Sequence, residues 1–489
     1  MNAAWRVAKN FVSSPEKQTA KADDAFRRSV RMQGIAQMVG AVVRYRRKHR
    51  APTQQKRIFQ LLSRQGTRCY PMQTAPPPAV VATAPAVLVV TASHDNWRYT
   101  LGERASFTVR VTRDGRDIPG VPVIVTSGPE RLTPTRVDTI VSAAGGTRVD
   151  AGSLARPGFL RLTAVANVDG GRLNEMVTVG YDVDRIDASV ALPADFLPFW
   201  RNAAADARRT PLAPQLTLRD DLSTPAVNVY HVSFQNHREG SRIYGMLSVP
   251  KAPGKYPAML VVPGAGVRPY FPDTRTAARG VVHLTIGIHG IPVDRDSLLY
   301  NELRATALSG YWAFGIEDRD KYYYKRVIVG AVRAGDFLMS LPQVDSARYV
   351  VRGGSQGGML AMATAVLDPR VKAVAVAHPA MGDHFGYRQG RAGGWPHIFS
   401  DTARMQAKTE ISATLPYYDT DNFARLLTVP GFYTWGYNDI TVPPTTSYAV
   451  YNLITAPKEL FIAKETGHTV NAEQNTKAMT FLLQHLGVR

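Results

Sequence analysis

Between residues 87 and 183, apolar and polar positions alternate in short runs. "AVLVVTA", "ASFTVRVT", "VPVIVTSG", "GFLRLTAVA" and "EMVTVGYDV" are rich in β-branched residues. Gly, Pro, Asp and Asn separate them, as in "RDGRDIPG". A period of two between turn residues predicts half-buried strands. Several such strands in about a hundred residues predict a small antiparallel β-sandwich over 87–183.

The pattern changes after residue 184. "PADFLPFWRNAAADARRTPLAP" (Pro193–Pro214) reads as an amphipathic helix bounded by prolines. From about 225, apolar runs and helical periods alternate. "VNVYHVSF", "RIYGMLSV", "YPAMLVVPG" and "GVVHLTIGI" read as strands. The helix "KYYYKRVIVGAVRAGDFLMSL" leads to the strand "ARYVVRG", the helix "GGMLAMATAVL" and the strand "VKAVAVAHP". "GFYTWG", a helix, "ELFIA" and a last helix complete the series. Such alternation predicts an α/β domain over 184–489, a doubly wound, mostly parallel sheet with helices on both faces. For the earlier strands the Cys–Trp–Cys signature is absent, so an immunoglobulin-like assignment rests on strand pattern alone.

Composition adds a third segment. The chain has 489 residues and a formal net charge of +20. Residues 1–70 hold 16 Lys and Arg against 3 Asp and Glu, and the remainder 43 against 36. The basicity therefore belongs to an N-terminal tail, residues 1–86 with a Pro/Ala linker at 75–86, which reads as a solvated, poorly ordered segment. No nucleic-acid partner is expected. No run approaches the roughly 18 apolar residues of a spanning helix, so no membrane span is expected. Cys69 is the sole cysteine, which excludes an intramolecular disulfide. No apolar core of a signal peptide follows Met1. An annotated start upstream of the true one would account for that.

Candidate chemistry centres on "VVRGGSQGGML" (Val350–Leu360). Gly353-Gly354-Ser355-Gln356-Gly357 matches G-x-S-x-G, the nucleophile turn of α/β-hydrolases, in the strand–turn–helix context it requires. Glycines at 353 and 357 let strand and helix pass closely, and the hydroxyl sits at a helix N-terminus. A serine needs a base, and in this fold the acid and then the histidine follow in chain order. Asp439 lies just after the strand Gly431–Gly436, and His468 just after the strand Glu459–Ala463. His378, His384, His397 and His485 fit that order less well. One oxyanion donor is expected at Gln356. "MLVVPGAGVRPY" supplies the second, at Ala265 with Gly266 next, since Pro263 has no N–H.

"GGSQGG", "NDITVPPTTSYAVYNLI", "ETGHT" and the helix at Pro193–Pro214 resemble the acetyl xylan esterase and cephalosporin-C deacetylase family, over about residues 193–489. The resemblance implies hydrolysis of acetyl esters on sugars, with Ser355, Asp439 and His468 as a triad and Gln356 and Ala265 as oxyanion donors. It implies no metal or cofactor, an acetylated carbohydrate as partner, and a homo-oligomer, often a hexamer. The sequence departs from the family in "PGAG", where a histidine is usual, and in the extra β-rich domain. The substrate class implies a secreted or periplasmic location.

Tyr311, Trp312 and Trp395, in segments that read as loops, are candidates for stacking on sugar rings. His289 and His397 have no helical i, i+4 partner for a metal. Two other readings remain. A prolyl-oligopeptidase-type peptidase shares the triad order, but residues 87–183 are too few for a propeller, and Gln356 replaces the usual aromatic. A glycan-binding protein with an inert hydrolase domain would not require Ser355, Asp439 and His468 together.

Overall fold

The structure is a computed structural model that describes residues 84–401 and 408–488. The expectations for the basic tail and Cys69 lie outside the described residues.

The first strands are β1 (Val87–Ala92), β2 (Arg98–Tyr99), β3 (Ala105–Arg113), β4 (Arg116–Asp117) and β5 (Pro122–Pro129). They continue with β6 (Arg136–Val141), β7 (Thr147–Gly152), β8 (Gly158–Val168) and β9 (Gly171–Tyr181). One sheet runs β1-β3-β4 with β7 also on β3, and the other runs β2-β9-β8-β5-β6. All pairs are antiparallel except β2 with β9. The period of two turns alternate residues inward. Leu88, Val90, Phe107 and Val109 of the first sheet share a core with Val123, Leu160, Leu162 and Val179 of the second.

The second region has β10 (Gln215–Leu218), β11 (Val227–Gln235), β12 (Arg242–Pro250), β13 (Tyr256–Val262) and β14 (Val282–Gly287). After them come β15 (Val344–Gly354), β16 (Val371–Ala377), β17 (Gly431–Trp435) and β18 (Lys458–Ile462). They form a nine-stranded sheet in the order β10-β11-β12-β14-β13-β15-β16-β17-β18. The first four in that order pair antiparallel, and the rest are parallel.

Central strands are buried on both faces, which explains their unbroken apolar runs. Met259, Val350, Ala373 and Phe432 pack against Phe481 and Leu482 of the last helix, Ala472–His485. Leu260, Val351 and Val374 join a core with Val327 and Ile328 of the helix Tyr323–Ser340 and Leu360 of the helix Gln356–Leu367. The amphipathic helix of the proline-bounded stretch spans Phe196–Arg208 and buries Trp200, whose Nε1 donates to Tyr417 O at 2.9 Å. Among the described residues, no helix is long and apolar enough to cross a membrane.

The two regions share one continuous core. At their junction Glu130, just after β5, is 2% exposed and meets Arg161 of β8 at 3.4 Å. Burial pushes the Glu130 carboxyl up to about 7, against the opposing pull of Arg161 and the Thr445 amide, while Asp439 adds a repulsive charge. Tyr387 and Arg131 lie in the same electrostatic neighbourhood. The folded protein thus keeps the Glu130 proton to higher pH than the unfolded chain does. That preference favours the fold at low pH and is lost as pH rises through about 7. Urea unfolding of the parent and Glu130→Gln should therefore show the parent's relative stability falling by on the order of 3 kcal/mol between about pH 4.5 and 7. A constant difference across that range would contradict the assignment.

Candidate active site

Ser355 stands on the turn between β15 and the helix Gln356–Leu367, at φ 59° and ψ −128°. That conformation is strained for a residue with a side chain. The neighbouring glycines make room for it. A Cβ on Gly353 would lie 2.1 Å from Gly357 O, and a Cβ on Gly357 would lie 2.4 Å from Val262 O. Backbone bonds then lock the turn: Ser355 N donates to Ala377 O at 3.0 Å, and Ser355 O accepts from Gly358 N and Ala380 N.

The three residues expected from the sequence as a triad converge. His468 Nε2 lies 3.1 Å from Ser355 Oγ, and His468 Nδ1 lies 2.7 Å from Asp439 Oδ2. The other Asp439 oxygen accepts from the amides of Thr441 and Val442 at 2.8 and 2.9 Å. Asp439 is fully buried, whereas His468 is partly open to solvent. The loops carrying them are zipped together, since Tyr437 N donates to Lys464 O and Asn438 N to Thr466 O. Gly436 permits this approach, because a Cβ there would lie 1.9 Å from Thr466 O. A hydroxyl aimed at an imidazole held by a buried carboxylate can lose its proton as it attacks an electrophilic carbon.

Around the turn, Gln356 has two distinct parts. Its amide is in the first turn of the helix, where no intrahelical acceptor exists. Its side chain is buried and braces the loop after β13: Nε2 donates to Pro263 O at 3.1 Å, and Oε1 accepts from Tyr311 and Tyr324 hydroxyls at 2.8 and 2.7 Å. Tyr311 Oη in turn accepts from Gly266 N at 3.2 Å. His289 closes the far side, with Nε2 3.0 Å from Gly266 O and Nδ1 2.8 Å from Tyr323 Oη. The Gly266 amide is therefore engaged, and Ala265 sits between two braced positions. Beside the turn is a cavity of about 460 Å³ lined by Gly264, Arg268, Phe271, Gly354 and Val470.

The aromatic candidates divide. Tyr311 is 2% exposed, enclosed by the rings of His289, Trp312, Tyr323 and Tyr324. Its ring has no open face for a sugar, which corrects the stacking expectation. Trp312 is 37% exposed and lies 6.1 Å from Trp395, centroid to centroid.

Other histidines have structural partners. His397 Nε2 lies 2.9 Å from Thr441 O, in the loop that carries Asp439, and His384 Nδ1 lies 2.6 Å from the buried Asp419. His485 Nδ1 donates to Phe481 O within the last helix. His378 packs its ring 4.3 Å from that of His468. Burial pushes His289, His378 and His397 down to about 4, which makes them neutral at pH 7. His378, Asp439 and His468 place one ligand atom each within 4.8 Å of one another, a spacing a metal ion could bridge. Both Asp439 oxygens already accept hydrogen bonds, so a metal there would have to displace the His468 contact.

Sequence reasoning missed the braces. Nothing in "GIHGIP" signals that His289 reaches a backbone carbonyl, and nothing in "SGYWAFG" signals that the Tyr311 hydroxyl faces inward.

Comparison with known proteins accords with this arrangement. The family model described as acetyl xylan esterase (AXE1) matches residues 182–485. The acetyl esterase Axe7A of Xylanibacter ruminicola is 39% identical over 396 residues, 80% of this chain and 88% of that protein. That match is longer than the stretch from 182 to the C-terminus, so it extends into the β-rich region. A solved acetyl xylan esterase from a Paenibacillus species is 28% identical, with a TM-score of 0.55 over 62% of this chain and 98% of its own. A second, from a Thermoanaerobacterium species, is 23% identical with the same TM-score over 62% of this chain and 97% of its own, and shares the fold. By these matches the chain is a serine-type carboxylic ester hydrolase on an α/β-hydrolase sheet, and it belongs to the acetyl xylan esterase family.

Proposed function

We propose that this enzyme removes acetyl groups from acetylated xylan or xylo-oligosaccharides, with Ser355 as nucleophile, His468 as base and Asp439 as the acid that orients it. The observation that carries the reading is the continuous line Ser355 Oγ–His468 Nε2, His468 Nδ1–Asp439 Oδ2, at 3.1 and 2.7 Å. Ser355 Oγ attacks the acetyl carbonyl as His468 takes its proton. The amides of Gln356 and Ala265 receive the developing oxyanion. The engaged Gly266 amide favours Ala265 over its neighbour. The protonated His468 then gives its proton to the departing sugar oxygen. Water attacks the acetyl-serine with His468 again as base, acetate leaves, and Ser355 regains its proton.

Trp312 and Trp395 form the aromatic surface offered to a sugar ring. On this reading the enzyme works outside the cytoplasm, since a xylan polymer is an extracellular substrate. The peptidase reading loses support, because among the described residues the strands before residue 182 form two small sheets and not a propeller.

Acetate release from acetylated xylo-oligosaccharides tests the reading directly. Ser355→Ala should lower kcat/KM at least about 10⁴-fold. No release by the parent enzyme, combined with rapid hydrolysis of an aryl acetate, would mean a different acylated substrate. Failure with both would overturn the esterase mechanism. Tyr311→Phe should reduce kcat about 10-fold with KM little changed, since it removes the acceptor of Gly266 N and one brace of Gln356. A rise in KM alone would instead assign Tyr311 to sugar binding.

A further inference from the structure

Three consecutive residues of the acid loop each touch the β-rich region. Phe159 packs against Tyr437 with ring centroids 4.9 Å apart, at an interplanar angle of 72°. Asn438 Oδ1 accepts from Thr178 N at 3.0 Å. Asp439 O accepts from Arg161 Nη2 at 3.2 Å. Thr178, which supplies that amide, also orients the guanidinium, for Arg161 Nε donates to Thr178 Oγ1 at 2.8 Å.

The helix that follows the loop is tied to the same place. Glu130 Oε1 accepts from Thr445 N at 2.9 Å, in the first turn of Pro444–Leu453. Its other oxygen meets Arg161. The Arg161 and Glu130 side chains are 12% and 1% exposed. A buried ion pair costs much desolvation and is weak evidence of stabilisation. Here it sets one guanidinium N–H against one backbone carbonyl, that of the residue whose carboxylate holds His468.

We infer that the β-rich region is a working part of the active site, in which Arg161, anchored by Glu130 and Thr178, is a positioning residue for the Asp439 loop. The inference rests on Asp439 being the triad acid. Arg161 touches neither substrate nor reacting atoms. It acts by fixing the peptide of Asp439, from which the carboxylate projects to His468. A displacement near 1 Å at such a position lowers turnover about 10²-fold.

The test compares aryl-acetate kinetics and thermal unfolding of the full chain for Arg161→Met, for Arg161→Met with Glu130→Gln, for Asn438→Ala and for Asp439→Ala. With all variants compared above about pH 8, where the parent's Glu130 is ionised, Arg161→Met alone leaves that carboxylate buried without its cation, so a lower Tm is expected. The double variant leaves neither charge unpaired, and its Tm should recover. Its kcat should stay 10- to 100-fold below the parent's, with KM within about threefold. A double variant whose kcat recovers together with Tm would make Arg161 merely structural and overturn the inference. Should the double variant fail to fold, Asn438→Ala decides. It removes a second tether from the same loop, and an unchanged kcat there would count against the β-rich region as a positioning element. Asp439→Ala separates the two ideas. If it keeps full activity, the triad assignment fails. If it is inactive while the tether variants keep the parent's kcat, only the positioning role fails.

Discussion

The structure depends on one steric constraint, the closeness of strand and helix around Ser355. The serine occupies a backbone conformation with positive φ, and the polypeptide reverses there so tightly that Gly353 and Gly357 have no space for a methyl group. Such strain persists only where surroundings over-determine it. The surroundings are the parallel core strands on either side and the amide–carbonyl bonds to Ala377, Gly358 and Ala380. With the hydroxyl held at the end of β15, the other groups must come to it from neighbouring strand ends, and they do so from loops after β13, β17 and β18.

Those loops are not stiff by themselves, and each is braced by polar side chains from elsewhere. The loop after β13 is held by Gln356, Tyr311 and His289. The acid loop is held by His397 on one side and by the β-rich region on another. The histidines in these braces are neutral because burial disfavours their charged form. A neutral imidazole can accept on one nitrogen and donate on the other, which suits it to bridging two backbone segments. A lysine or arginine in the same places would bring an unpaired charge beside the reacting atoms.

The sharing of one core between the two regions has a consequence for the fold. The first β sheets are small, and the apolar surface they bury includes their junction with the larger sheet. Phe159 of β8 meets Tyr437 edge to face and tilts against Tyr448, so a residue of the first region completes an aromatic cluster of the second. Tyr437 of that cluster is two residues before Asp439 in the same loop. Packing and site geometry are therefore coupled at the junction.

Local patterns were enough for the strand and helix series, because period-two and period-3.6 burial leaves a direct trace in residue type. They were also enough to single out Ser355 with its glycines, since the steric demand of the turn acts between neighbours in sequence. Asp439 and His468 could be nominated from chain order, as successive loops at the ends of parallel strands must lie side by side. Burial could not be read this way. Tyr311 and Trp312 are adjacent and both aromatic, yet only the packing around them turns one inward and leaves the other exposed. The contact of Arg161 with Asp439 joins residues 278 apart, across an interface formed only when two sheets and a helix dock together. No short-range periodicity encodes such a contact, because its energy depends on desolvation and alignment that arise only in the folded chain.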